Sequence, residues 1–417
     1  MKNLWIAVNA ILVLACVTFG VYQKFQSEWT KPDDKHVITK DQVADALASR
    51  AAFQEFPAEM DFTIDEVKTP AIVQYSWDPH LQEEMEGLMK LYRPDYAAFV
   101  AIEPSTGRVL SLVSYQHRDR PTQGHLALRA SFPSASVFKV VTAAAAIAEK
   151  RFTADTVISF QGRNHTLYKS HVFHNTINRW TRHMTLREAF AHSVNTVFAK
   201  IGVASLGAEE LKNYADRFGF NRKIGSDLPI EEGRAGIAED DWALAEAASG
   251  YTTDNTMSPM QGALIASSVI NGGVMMEPYF VESIHRPSGG VLYYARPTVA
   301  VQTMDSKIAG ELRELMKATV TEGTSRKSFR GFGKSRFSEV EVGGKTGSLT
   351  GWNPRGKYDW FVGYGTFEGR SIALCALTIS EKQWKVKSSY LARRAIESYF
   401  LEDVPARTLA SQRRKSR

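Results

Sequence analysis

Three short strings hold the residues best able to do chemistry: Ser136-Val-Phe-Lys139, Ser193-Val-Asn195 and Lys345-Thr-Gly347. A serine three residues before a lysine places a nucleophile and an amine base one helical turn apart. The second serine adds a hydroxyl that can carry a proton, and the asparagine adds an amide donor. Lys345, with the hydroxyls of Thr346 and Ser348, offers a grip for a substrate carboxylate. Together they are an inventory for attacking an amide with a serine where no histidine triad is present. Each string is weak alone, but each occurs once in the chain and they follow one another in order.

The surroundings of each string say how it is held. Ser136-Val-Phe-Lys139 runs into an almost wholly apolar stretch over 140–148, which reads as a buried helix. Ser136 then stands at the helix start, where its backbone N–H is unpaired within the helix and can face an oxyanion. Lys139 entering such a helix is costly without a partner or a task. To act as a base near neutral pH its pKa has to fall from about 10.4, which takes about 4 kcal/mol of environment. Burial and a second cation both push that way.

Thr185-Leu-Arg-Glu188 is a capping-box pattern that opens a helix to about 193, with Ser193 and Asn195 at its end. Residues 339–348 alternate and then become glycine-rich. They read as a strand that another backbone can approach and whose edge can pair with an extended peptide. Taken singly, the strings also suit a serine cap with a lysine reaching solvent, a polar helix end and a glycine turn. Those readings do not predict the shared order.

Around these strings the chain alternates strand and helix patterns. Strands are expected at 71–76, 97–102, 109–114, 359–364 and 371–379, the last four as two hairpins. Helices are expected at 41–53, 80–91, 137–149, 185–193, 208–217, 258–270, 305–320 and 388–400. Strands at both ends with helices between imply an α+β fold, an αβα sandwich whose mostly antiparallel sheet is assembled from distant parts of the chain.

The 417 residues are 44% hydrophobic, ample for a core, and carry a net charge of +6. No nucleic-acid module is visible, so the mild excess reads as a solvated surface that favours anionic neighbours. Residues 4–22 are almost wholly apolar. At about 1.5 Å per residue they reach roughly 28 Å, enough to cross a bilayer core. This predicts an uncleaved membrane anchor over 1–24, a spacer over 25–69, a catalytic domain over 70–403 and a basic tail over 404–417. Cys16 falls in the anchor, where Val13-Leu-Ala-Cys16 loosely resembles a lipoprotein cleavage site. Cys375 falls in a buried strand, so no disulfide is expected. His165, His171, His174 and His183 sit in a loop-like stretch and are read as surface residues, without a metal site or cofactor.

With these motifs in order, the chain resembles the transpeptidase domain of penicillin-binding proteins. The resemblance runs over roughly 70–400. It includes Ser76-Trp-Asp-Pro, Ala101-Ile-Glu-Pro-Ser-Thr-Gly107, Ser258-Pro-Met-Gln261, Asn271-Gly-Gly273, Gly323-Thr324 and Asp359-Trp-Phe-Val-Gly363.

The resemblance implies Ser136 as the acylated nucleophile, Lys139 as its base and Ser193 as a proton relay. It implies Asn195, Lys345, Thr346, Gly347 and Ser348 as substrate-binding, with the N–H groups of Ser136 and Ser348 as the oxyanion hole. The activity implied is attack on a D-Ala-D-Ala stem peptide, release of D-Ala and transfer to a neighbouring stem's amine. β-Lactams would acylate the same serine. The implied setting is the outer face of a bacterial cytoplasmic membrane, beside a glycan-synthesising partner. The family usually has Thr where Ser348 stands, and the region before 70 is too short for a glycosyltransferase domain or a full pedestal. A D,D-carboxypeptidase or β-lactamase on the same fold and a non-turnover membrane β-lactam sensor are the rival readings. Valine rather than aspartate between Ser193 and Asn195 counts against a β-lactamase.

Overall fold

The computed structural model describes residues 38–52, 55–174, 176–382 and 384–403. The expected anchor, Cys16 and the basic tail lie outside them. Among the described residues no helix is long and apolar enough to cross a membrane.

The main sheet has five antiparallel strands: β1 (Tyr96–Ile102), β2 (Val109–Gln116), β3 (Glu341–Trp352), β4 (Arg355–Phe367) and β5 (Arg370–Ser380). Their spatial order is β3-β4-β5-β1-β2. The two expected hairpins are β1-β2 and β4-β5. The β4-β5 loop is Glu368-Gly369, both with positive φ, as a two-residue hairpin turn requires. Pairing of β5 with β1, with Cys375 opposite Val100, joins the two ends of the domain. Every residue of β1 is buried, because helices cover both faces of the sheet.

The helices that matter here are α1 (Pro79–Tyr92), α2 (Lys139–Lys150), α3 (Leu186–Ala191), α4 (Asn195–Lys200), α5 (Asp241–Ser249), α6 (Pro259–Ile270), α7 (Ser306–Thr321) and α8 (Ser388–Tyr399). On one face, Leu81, Met85 and Met89 of α1 and Leu391, Ala392 and Ile396 of α8 pack with Phe99, Phe361, Leu374 and Ala376. The alternate residues point the other way, as a strand's period of two demands. There α6 lies so close that a Cβ on Gly262 would stand 2.7 Å from Cys375 Sγ and 3.1 Å from Val362 Cγ2. The layers are therefore helix, sheet and helix.

Residues 57–75 and 281–295 belong to a second compact unit. Its four antiparallel strands run in the order Glu59–Ile64, Val67–Tyr75, Val281–His285 and Val291–Tyr294. Met60, Phe62, Val73, Ile284 and Leu292 are buried. The sequence treats 25–69 as a spacer. In its described part it carries the helix Lys40–Ala52 and a strand hairpin. The hairpin's further partner comes from a segment some two hundred residues on, which local patterning cannot reveal.

Gly262→Val should overpack the α6–sheet contact and lower stability by about 1–3 kcal/mol. Urea unfolding of the variant checks this, with a lowered midpoint at unchanged slope.

Candidate active site

The chain enters α2 through a 3-10 turn, Ala135–Phe138. Ala135 has φ of 49°, in the left-handed region that a side-chain-bearing residue occupies only under constraint. The constraint comes from the end of α5, where Gly250 passes so close that a Cβ would stand 2.0 Å from Ala135 O. Ser136 is half-buried on this turn. Lys139, the first residue of α2, has no exposed surface. Its Nζ lies 2.7 Å from Ser136 Oγ, 2.8 Å from Asn195 Oδ1 and 2.5 Å from Ser249 O. Burial, and then the charge of Lys345, push its pKa well below the ordinary lysine value.

Helix α3 opens with the expected capping box between Thr185 and Glu188. It ends at Ala191, two residues before the expected point, because Ser193 turns to φ of 55°. The link Ser193-Val-Asn195 then leads directly into α4, which the sequence reading does not anticipate. Ser193 and Asn195 are both buried. Lys345 is wholly buried too, and its Nζ donates to Ser193 Oγ at 2.9 Å and Thr346 O at 2.8 Å. Burial brings its pKa down to about 7.

Lys345, Thr346, Gly347 and Ser348 lie on β3, the edge strand of the sheet. Gly347 lets β3 lie against the 3-10 turn, since a Cβ there would stand 3.1 Å from Val137 Cγ2 and 3.2 Å from Ser134 O. Thr346 Oγ1 and Thr324 Oγ1 are 2.5 Å apart. Ser348 is exposed, opposite Asp359 in the β3-β4 register.

These elements enclose a cleft of about 480 Å³. Ser136, Ser193, Asn195, Thr346, Gly347 and Ser348 line it, and Lys139 and Lys345 stand directly behind through their hydrogen bonds. All eight residues singled out in the sequence thus meet in one place.

The cleft also holds residues that the sequence reading missed. His165 is exposed, as expected, but it lines the cleft. Desolvation and the nearby Lys139 and Lys345 lower its pKa. His174 and His183 are exposed, as expected. Among the described residues no group of three or more His, Cys, Asp or Glu side chains is arranged to hold a metal ion. Helix α5, also missed, supplies Ser249 O. Its signal was present, since Asp240 caps Trp242 and Ala243 and Gly250 closes the helix. The far wall contains Asp359, whose carboxylate takes hydrogen bonds from Lys387 Nζ at 3.1 Å and Ser388 N at 2.8 Å. Burial still drives its pKa up.

A family model described as the penicillin binding protein transpeptidase domain matches residues 97–397. The chain belongs to this family. Among relatives, it is 27% identical over 346 residues to the peptidoglycan D,D-transpeptidase PbpA of Mycolicibacterium smegmatis. That match covers 75% of this chain and 66% of the relative, so the chain spans just under two thirds of that protein's length. The stage V sporulation protein D of Bacillus subtilis is 26% identical, covering 64% of this chain and 42% of its own. A crystal structure of PBPA from Mycobacterium tuberculosis superposes with a TM-score of 0.65 at 25% identity, covering 79% of this chain and 82% of that one. An imipenem acyl-enzyme complex of the same penicillin-binding protein matches with a TM-score of 0.63 at 26% identity, covering 79% and 80%. The α+β sandwich expected from the sequence is the transpeptidase fold of this family.

The buried lysines contribute a rise of stability with pH, opposed above about 9 by the buried Cys375 thiol, whose pKa burial drives up. Lys345 binds its proton with a pKa of about 7 when folded and near 10.5 when free. Between those values the unfolded chain holds the extra proton, so stability rises with pH across this window. Lys139 contributes with the same sign. Melting temperature followed against pH should show this rise, and Lys345→Met should flatten it.

Proposed function

We propose that this chain is a peptidoglycan D,D-transpeptidase working through an acyl-enzyme on Ser136, and that β-lactams acylate the same serine. The observation that carries this reading is the contact of Ser136 Oγ with the buried Lys139 amine in a cleft whose wall is an open sheet edge. The mycobacterial relatives named as peptidoglycan D,D-transpeptidases, and the acyl-enzyme complex of one of them, support it.

In this mechanism Lys139, its pKa lowered by burial and then by Lys345, takes the Ser136 proton as Oγ attacks the carbonyl of the penultimate D-Ala. The extended stem lies along β3. The developing oxyanion is met by the N–H groups of Ser136 and Ser348. Asn195 Oδ1 already accepts from Lys139, which leaves Nδ2 to donate to a substrate carbonyl. Ser193, between the cleft and Lys345, passes a proton to the leaving D-Ala amine. Lys345 and the hydroxyls of Thr346 and Ser348 hold the substrate carboxylate. The amine of a second stem then attacks the ester carbon and the Ser136 hydroxyl is restored.

In this reading residues 70–403 are the catalytic domain, residues 1–24 tether it to the outer face of the cytoplasmic membrane, and a partner supplies glycan chains.

Ser136→Ala should abolish labelling by fluorescent penicillin. Lys139→Met should slow acylation by at least about 10²-fold. In the wild type, acylation should fall as pH drops through the depressed Lys139 pKa, because a protonated amine cannot take the serine proton. Incubation with a stem-peptide mimic and an amine acceptor should yield cross-linked product. Release of free D-Ala alone would assign a carboxypeptidase, and equal labelling of wild type and Ser136→Ala would remove the whole reading.

A further inference from the structure

A second cavity, about 690 Å³, lies beside the cleft and has no part in the steps above. The two share a wall, the segment 323–329. Thr324 and Ser328 line the cleft, Gly323, Arg326 and Phe329 line the second cavity, and Lys327 lines both. The cavity floor is apolar: Phe329, Phe332, Val340 and Val342 are all buried.

Its rim is basic. Lys317 is engaged by Glu314 at 3.0 Å and Glu341 at 3.6 Å, and Glu341 also pairs with Arg313 at 2.7 Å. Arg326, Lys327 and Arg330 are exposed and make no ion pair among the described residues. Glu322 is the remaining acid on the lining. Three uncompensated cations around an apolar floor match an elongated ligand with several carboxylates.

A transfer reaction needs two peptides, and the donor fills the cleft along β3 once its carbonyl is on Ser136. The second peptide must then enter from another side, and the shared wall is the boundary that an adjacent cavity offers.

We propose that this cavity binds the acceptor, a carboxylate-bearing peptide whose amine reaches past Lys327 to the acyl ester. The inference rests on the transpeptidase reading above. In the step served, the amine nitrogen bonds to the ester carbon, the bond from that carbon to Ser136 Oγ breaks, and the amine proton passes through Lys139 to Oγ. No further reactant is consumed.

The test compares the full chain with its Arg326→Glu/Arg330→Glu variant. Two acceptors are used: an amine-bearing peptide with two free carboxylates, and the same peptide with both carboxylates amidated. The variant should need about tenfold more of the carboxylate acceptor for half-maximal cross-linking. Its dependence on the amidated acceptor should be unchanged, as should penicillin labelling and melting temperature. An equal change for both acceptors, or no change for either, overturns the inference while leaving the transpeptidase reading standing. Free D-Ala with no cross-linked product from wild type, with either acceptor, overturns that reading and the acceptor site with it.

Discussion

Two lysine side chains lie without exposed surface behind the cleft, and among the described residues no carboxylate pairs with either. Burying such charges unpaired is expensive, and the relief open to them is to give up their protons. The rest of the site follows from keeping both amines in that position. Lys139 needs the apolar body of α2 around its stem, Asn195 at the start of α4 and the last carbonyl of α5. Lys345 needs a strand edge that presents it inward to Ser193. The charge of Lys345 also raises the cost of a charge on Lys139.

The sheet meets these demands because β3 is its edge. An interior strand would have both hydrogen-bonding sides occupied, whereas an edge strand leaves one side for an extended substrate. The same strand has to lie tightly on the turn that carries Ser136, and Gly347 and Gly250 make room from two directions. The left-handed backbone at Ala135 is the local result, and Ser193 is left-handed as well. Both sit where a reacting group is aimed, and the packing around them holds the unfavourable conformation in place.

Much of this was legible along the chain because it is local. The turn between Ser136 and Lys139, the capping box at Thr185, the Glu368-Gly369 hairpin and the buried strand around Cys375 each follow from a few neighbouring residues. What could not be read depended on distant contacts. His165 reads as one of four surface histidines and is exposed, but only the fold brings it to the cleft near Lys139 and Lys345. The strands at 59–75 could not be assigned a full sheet before 281–294 was seen to pair with them. Ser249 acts through a backbone carbonyl, which no residue type announces.

The sequence by itself determined the reacting groups, their spacing within each string and the local shapes that carry them. Those depend on chirality, periodicity and capping over a turn or two of chain. The tertiary structure alone decided that three strings far apart would share one cleft, that both lysines would be dry, and that a second basic cavity would adjoin them. Proximity between distant segments and exclusion of water are properties of the assembled core, and the shifted pKa values exist only once that core has closed around the amines.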